Sequence, residues 1–168
     1  IKIFLIIELI GAFVLGVHFL SYYPNWQEAF LHGLFLSISS TTNAGFDITG
    51  MSMIPYHKDY FMQFVSILLL TLGAIGFPVL IEVKDFLSNR DRTYKFRFSL
   101  FTKITSVTFM SLVVSGTILI ALLEMKGFFV NKSWHETFFY SLFMSSNTRS
   151  GGLATMNVSD FSEPTLLV

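Results

Sequence analysis

The sequence predicts an all-α integral membrane fold in which a unit of span, re-entrant short helix, pore loop and span is repeated. Three observations carry this. The 168 residues are 52% hydrophobic and 13% charged, with a mean hydropathy of +0.62, whereas soluble domains hold about 25% charged residues. Residues 3–22, 60–81 and 104–123 are long and apolar enough to cross a bilayer core about 30 Å thick, which needs roughly 20 helical residues. Finally, two segments align with each other. Trp26, Phe30, Leu34 and Phe35 match Trp134, Phe138, Leu142 and Phe143; after one residue of slip, Thr41 to Phe46 match Thr148 to Leu153.

Residues 3–22 form the first predicted span despite Glu8 and His18. An acid inside a span is a functional candidate by default. Glu8 lies close enough to the inner end for snorkelling to be an equal alternative. Tyr22, Tyr23 and Trp26 then suit a membrane interface, where amphipathic aromatic rings collect. From Trp26 to about Ile38 the pattern predicts a helix too short to cross, which dips partway and stops. The hydroxyl-rich loop that follows, residues 39–47, contains Gly45 and ends on Asp47. Asp47 is either a cation-concentrating carboxylate at an outer mouth or a turn cap.

Residues 60–81 are predicted as one span free of charge, with Gly73, Gly76 and Pro78 serving close packing or a kink rather than a hinge. Lys84, Arg90, Arg92, Lys95, Arg97 and Lys103 gather before the next span. Basic residues near span ends favour the cytoplasmic side, so residues 82–103 are expected inside and both Trp-led segments outside. The cluster from Arg90 to Arg97 serves topology first; docking of a regulator or anionic lipid is the sharper alternative. Residues 104–123 form the next span, and the segment from Trp134 repeats the short helix. Residues 146–153 repeat the loop, with Thr148, Arg149, Ser150, Gly151 and Gly152 at its centre. The closing residues, 163–168, read as the opening of another apolar helix, so the chain is expected to be an internal stretch of a longer membrane protein. Three units of organisation follow: residues 1–89, a basic linker at 90–98, and residues 99–168.

A short helix ending in a small, glycine-containing loop beside membrane spans is what a cation filter needs. Non-helical backbone at membrane depth persists only where it is buried in protein or lines a wet cavity. A filter uses the freed carbonyls to replace an ion's water, and the helix C-terminus adds negative dipole density. Gly45 and Gly152 supply positive φ without steric cost, and Thr41, Thr42, Asn43 and Ala44 are small enough for loops to converge. Neither loop contains the Thr-Val-Gly-Tyr-Gly filter of potassium channels, so fewer carbonyl rings and looser selectivity are expected. The alternative is a pair of external loops with interfacial helices. Arg149 is expected to brace the loop by bonding carbonyls or a carboxylate behind it, because a bare positive charge in a cation path would repel the ion.

Zero net charge argues against a nucleic-acid partner, and there is no cysteine to report on redox compartment. His18, His32, His57 and His135 have no metal-ligand spacing and read as interfacial or polar contacts. No nucleophile–base set or phosphate-binding loop is present, which disfavours an enzyme.

Thr42-Asn43-Ala44-Gly45-Phe46, Thr148-Arg149-Ser150-Gly151-Gly152-Leu153 and Gly73-Ala74-Ile75-Gly76-Phe77-Pro78 resemble motifs of the Ktr/Trk/HKT superfamily of potassium transporters. The third unit's pattern is often Thr-Arg-Thr-Ala-Gly-Phe; here Ser150, Gly151 and Leu153 depart from it, which touches ion preference more than fold. The resemblance implies four span–pore-loop–span units arranged pseudo-fourfold around one pore, of which this chain holds the second and part of the third. It implies K⁺ as the transported ion, with a filter made by Thr41, Thr42, Asn43, Ala44, Gly45, Thr148, Arg149, Ser150, Gly151 and Gly152. The ion-facing carbonyls would be those of Thr42, Asn43, Thr148 and Ser150. It also implies no cofactor in this stretch, the rest of its own chain and the cell-membrane bilayer as surroundings, a homodimer, and a separate cytoplasmic nucleotide-binding regulatory subunit. A Na⁺-permeable or Na⁺-coupled member and a non-conducting structural membrane subunit remain the alternatives.

Overall fold

A computed structural model of the chain describes residues 2–88 and 97–166. Among them there is no strand. The helices are α1 (Lys2–Phe19), α2 (Trp26–Thr41), α3 (Tyr60–Ile75), α4 (Phe77–Ser88), α5 (Leu100–Glu124), α6 (Trp134–Ser150) and the short α7 (Glu163–Leu166), with 3₁₀ turns at Ile54–Tyr56 and Val158–Asp160. Arg90, Arg92 and Lys95 of the predicted basic linker lie outside the described residues.

Helix starts follow local chemistry. Asn25 caps α2 by accepting from the Gln27 amide, and Asp59 caps α3 by accepting from the Met62 amide at 3.0 Å. Ser133 and Glu136 form a reciprocal capping box at the start of α6. Such caps satisfy amides that have no partner within the helix.

α1 and α5 are long and apolar enough to cross a membrane. Both expose large apolar side chains, such as Leu9, Ile10 and Phe13 on α1 and Val107, Val114 and Ile118 on α5. In water such continuous faces would be a liability; in a bilayer they meet lipid or further transmembrane helices. The span predicted over residues 60–81 is broken in two at the Gly-Pro stretch, where a kink or close packing is expected from the sequence. α3 and α4 meet at an angle of 105°. Gly76 sits at φ 91°, ψ 162°, outside the helical region, and Pro78 two residues on suits the first turn of a new helix because its missing N–H is not needed there. α3 alone, at 16 residues, spans about 24 Å.

α2 runs antiparallel to α1, with Ser37 against Gly11 and Gly33 against Gly16. α6 runs antiparallel to α5, with Ser145 on Val113 and Tyr140 stacked on Phe129 just past the end of α5. α3 packs against both hairpins; its Tyr60 ring stacks on Phe139 of α6 with centroids 4.7 Å apart. One buried cluster joins Leu15 and Phe19 of α1, Leu36 of α2 and Leu69 of α3 with Phe143 and Leu153 from the second half of the chain. The two halves therefore share a core.

Candidate functional site

Each short helix is fastened to the preceding span by the same joint. Ser37 Oγ donates to the Glu8 carbonyl at 2.8 Å, and Ser145 Oγ donates to the Val113 carbonyl at 2.8 Å. In both, a glycine three residues further along the span receives the serine: a Cβ on Gly11 would lie 2.5 Å from Ser37 Oγ, and one on Gly116 would lie 2.4 Å from Ser145 Oγ. The register that pairs Trp26 with Trp134 pairs Ser37 with Ser145. The joint lets helix axes approach closely, as small residues do in lipid.

α2 ends at Thr41, one turn later than predicted, with Thr42 as its cap. The chain then folds back in a Schellman arrangement. The Asn43 amide donates to the Ser40 carbonyl at 3.2 Å, and the Ala44 amide to the Ser39 carbonyl at 3.0 Å, with Asn43 at φ 53°. Ser39 Oγ donates to the Phe46 carbonyl at 2.6 Å, which anchors the far side of the loop. The Thr41 carbonyl rests against Gly73 of α3.

The second loop is shorter than predicted. Thr148, Arg149 and Ser150 are the last turn of α6, and the non-helical chain starts at Gly151. Nothing in the sequence breaks the helix before Gly151, and Arg149 Nη2 donates to the Leu112 carbonyl of α5 at 2.8 Å, fixing that turn. The partner is a carbonyl of the preceding span, neither a loop carbonyl nor the carboxylate expected from the sequence. The loop itself hangs on Asn147: its Oδ1 accepts from the Leu153 amide at 3.1 Å while its Nδ2 donates to the Phe143 carbonyl at 2.9 Å. Asn147 is the counterpart of Ser39, as Leu153 is of Phe46, so one position in each short helix holds one position in each loop.

The two loops meet. Gly45 has φ 68° and Gly152 φ 112°, left-handed conformations natural to glycine. A Cβ on Gly45 would fall 2.7 Å from both Gly151 O and Gly152 Cα, so any side chain would push the loops apart. Thr42, Ala44, Thr148 and Arg149 are exposed, while Asn43 and Gly45 are half-buried. Asp47 does not project freely: its Oδ2 accepts from Thr49 Oγ1, the Met51 amide at 3.0 Å and the Ser52 amide at 2.7 Å. Burial alone would raise its carboxyl pKa, but these bonds outweigh it and hold the group below the usual carboxylate range.

Sequence reasoning did not single out Ser37, Ser145, Ser39 or Asn147 as fastenings. The repeat alignment, carried through the short helices, contains the signal. It also passed over Glu124, the fully buried last residue of α5, whose carboxylate accepts from Ser162, Thr165 and the Phe128 amide. Nothing in a lone acid at a span end marks that role.

Comparison with known proteins gives the chain a family. The TrkH family, described as cation transport protein, matches residues 1–168. The Ktr system potassium uptake protein D of Bacillus subtilis is 59% identical over 160 residues, 95% of this chain and 35% of the relative. The Ktr system potassium uptake protein B of Vibrio alginolyticus is 30% identical over 92% of this chain and 34% of its own length. The potassium/sodium uptake protein NtpJ of Enterococcus hirae is 28% identical over 99% of this chain and 36% of its own. The chain thus spans about a third of the length of these relatives. With its apolar crossing helices, and over its full length, it belongs to the TrkH family of membrane cation transport proteins.

Proposed function

We propose that the full-length protein takes up potassium across the cell membrane through a pore lined by main-chain carbonyls, and that this chain supplies two of four walls of its filter. The contact of Gly45 with Gly152, brought together by two short helices of like construction, carries the reading. Residues 1–89 and 99–168 would be the second and third units of a pseudo-fourfold arrangement, joined by the linker at 90–98. K⁺ would lose water to the carbonyls of Thr42, Asn43, Thr148 and Ser150. Two features support this: the last carbonyls of a helix have no partner within it, and helix C-termini carry negative dipole density toward a cation. Transport needs no bond-making group, and the protein is not an enzyme on this reading. The names of the relatives, which describe a system, support further components. A homodimer and a cytoplasmic nucleotide-binding regulatory subunit are the ones proposed, with no cofactor in this stretch.

The relative named for both potassium and sodium uptake favours Na⁺ permeation as a second reading. One experiment addresses both: K⁺ uptake by the full-length protein in cells lacking their own uptake systems, with and without Gly45→Ser. Growth at low K⁺ that Gly45→Ser weakens or makes Na⁺-sensitive supports the filter. Unchanged growth and ion preference in the inserted Gly45→Ser protein refutes it and returns the chain to a structural role.

A further inference from the structure

We infer that the turn from Asp47 to Met53 is a clip that sets the spacing of the two filter loops, with Asp47 and Ser52 as positioning residues for ion selectivity. The inference rests on the filter reading above and adds residues outside the loops themselves.

The clip is built in two steps. Asp47, two residues past Gly45, gathers the Thr49 hydroxyl and the Met51 and Ser52 amides onto one carboxylate oxygen. That closes the turn and holds Ser52 at φ 53°, a conformation that a non-glycine residue keeps only where its surroundings over-determine it. In that pose Ser52 Oγ accepts from the Ala154 amide at 2.8 Å, and the Met53 amide donates to the Ala154 carbonyl at 2.9 Å. Both main-chain groups of Ala154 are therefore bonded to the other loop's turn. Ala154 lies two residues past Gly152, just as Asp47 lies two past Gly45. Met53 and Leu153 are buried beside the bonds, 2% and 3% exposed, which keeps water from competing for them.

The loops thus touch twice: at the glycines, where contact limits how near they come, and at the clip, which limits how far apart they drift. A filter discriminates ions by the number and spacing of its oxygens, so loosening the clip changes selectivity before it changes flux. A rival role for Asp47, drawing cations by its charge, acts on K⁺ and Na⁺ alike and leaves their ratio unchanged.

The test is the K⁺/Na⁺ uptake ratio of the full-length protein in uptake-deficient cells; being a ratio, it does not depend on the amount inserted. Ser52→Gly keeps the backbone conformation and removes the acceptor, Asp47→Ala removes the turn's organiser, and Asp47→Asn keeps an acceptor while removing the charge. Ser52→Gly should lower the ratio about fivefold, the factor expected from one net hydrogen bond, and Asp47→Ala, which removes three bonds, should lower it at least as much. Asp47→Asn should stay within about twofold of wild type. Wild-type ratios in both Ser52→Gly and Asp47→Ala overturn the inference. So does a low-K⁺ uptake defect shared by Asp47→Asn and Asp47→Ala but absent from Ser52→Gly, which assigns Asp47 to charge. Gly45→Ser, run alongside, separates the failures: if it alters the ratio and the clip variants do not, only the clip falls; if it too is silent, the filter reading falls.

Discussion

Gly73→Ala places a methyl group where the wall of the first loop already stands. Its Cβ would lie 2.1 Å from the Thr41 carbonyl oxygen and 2.7 Å from Asn43 Nδ2. Carbon–oxygen contacts rest at about 3.3 Å, so Thr41 or α3 has to move by about 1.2 Å. The Thr41 carbonyl cannot swing aside, because the Thr42, Asn43 and Ala44 amides bond back to Ile38, Ser40 and Ser39 and lock the end of α2. The strain resembles overpacking of a core, about 1–3 kcal/mol, and it falls on the residue preceding Thr42. Gly11→Ala and Gly116→Ala meet serine hydroxyls first, and turning these aside gives up the Ser37–Glu8 or Ser145–Val113 bond, about 0.5–1.5 kcal/mol. Gly50→Ala meets nothing within 4 Å and has φ 74°, so it carries only the left-handed penalty of about 1–2 kcal/mol. The assay compares the thermal midpoint of the detergent-purified full-length protein with its K⁺ uptake and K⁺/Na⁺ ratio. Gly73→Ala should lower the midpoint and degrade uptake or ion preference, whereas Gly50→Ala should leave ion preference intact. A Gly73→Ala protein with wild-type midpoint, uptake and ratio would refute the claim that α3 supports the loop at this point.

Two further predictions concern the span ends that lead into the short helices. Glu124 receives four donors on two carboxylate oxygens, and Glu124→Gln turns one oxygen into a donor that must face a donor. Leaving one such buried group unsatisfied costs about 1–3 kcal/mol, which should appear as a lower thermal midpoint and faster proteolysis between residues 125 and 132. At the other joint, burial pushes the Asp59 carboxyl up, but hydrogen bonds from His18, the Met62 amide and the Tyr22 hydroxyl outweigh it and hold the group below its ordinary range. A depressed carboxyl contributes stability that is fully present above the unfolded value of about 3.9 and is lost as pH falls through the folded value. The wild-type thermal midpoint should therefore drop more steeply than that of Asp59→Asn as pH is lowered from about 5; parallel curves would contradict the assignment.

The spans, the short helices and the repeat were legible because each rests on a one-dimensional signal: length of apolar run, a Trp-led aromatic pattern, or register between copies. The break at Gly76 was half legible. Gly76 and Pro78 were visible as a possible kink, but whether a glycine adopts positive φ depends on what packs around it, and residues 60–81 read as one continuous apolar run. The boundary at Gly151 was missed for a related reason. Thr148, Arg149 and Ser150 match loop residues of the first copy, yet the Arg149 contact with Leu112 favours another helical turn, and a contact between separate helices leaves no local mark. The convergence of Gly45 and Gly152 was expected from the repeat. The bonds joining Ser52 and Met53 to Ala154 were not, because about a hundred residues separate the partners.

At the span ends the copies preserve the place of a bond and change the residues that make it. In the first, His18 at the end of α1 meets Asp59 at the start of α3; in the second, Glu124 at the end of α5 meets Ser162 and Thr165 at the start of α7. The acid has changed sides, and the joint remains. The donors on Asp47 and Glu124 are amides and hydroxyls, so hydrogen bonding orders these carboxylates without cancelling their charge. The two segments expected outside from the sequence, residues 23–59 and 124–163, carry Glu28, Asp47, Asp59, Glu124, Glu136, Asp160 and Glu163 against Lys58, Lys126, Lys132 and Arg149. Charges screened beyond about 8 Å in physiological salt act only near the surface, and Asp47 stands two residues from Gly45. The hydrogen bonds on Asp47 hold the loop in shape, whereas its charge would act on all cations alike. On the clip reading Asp47 discriminates among cations through its acceptor geometry, and its charge is the rival that Asp47→Asn isolates.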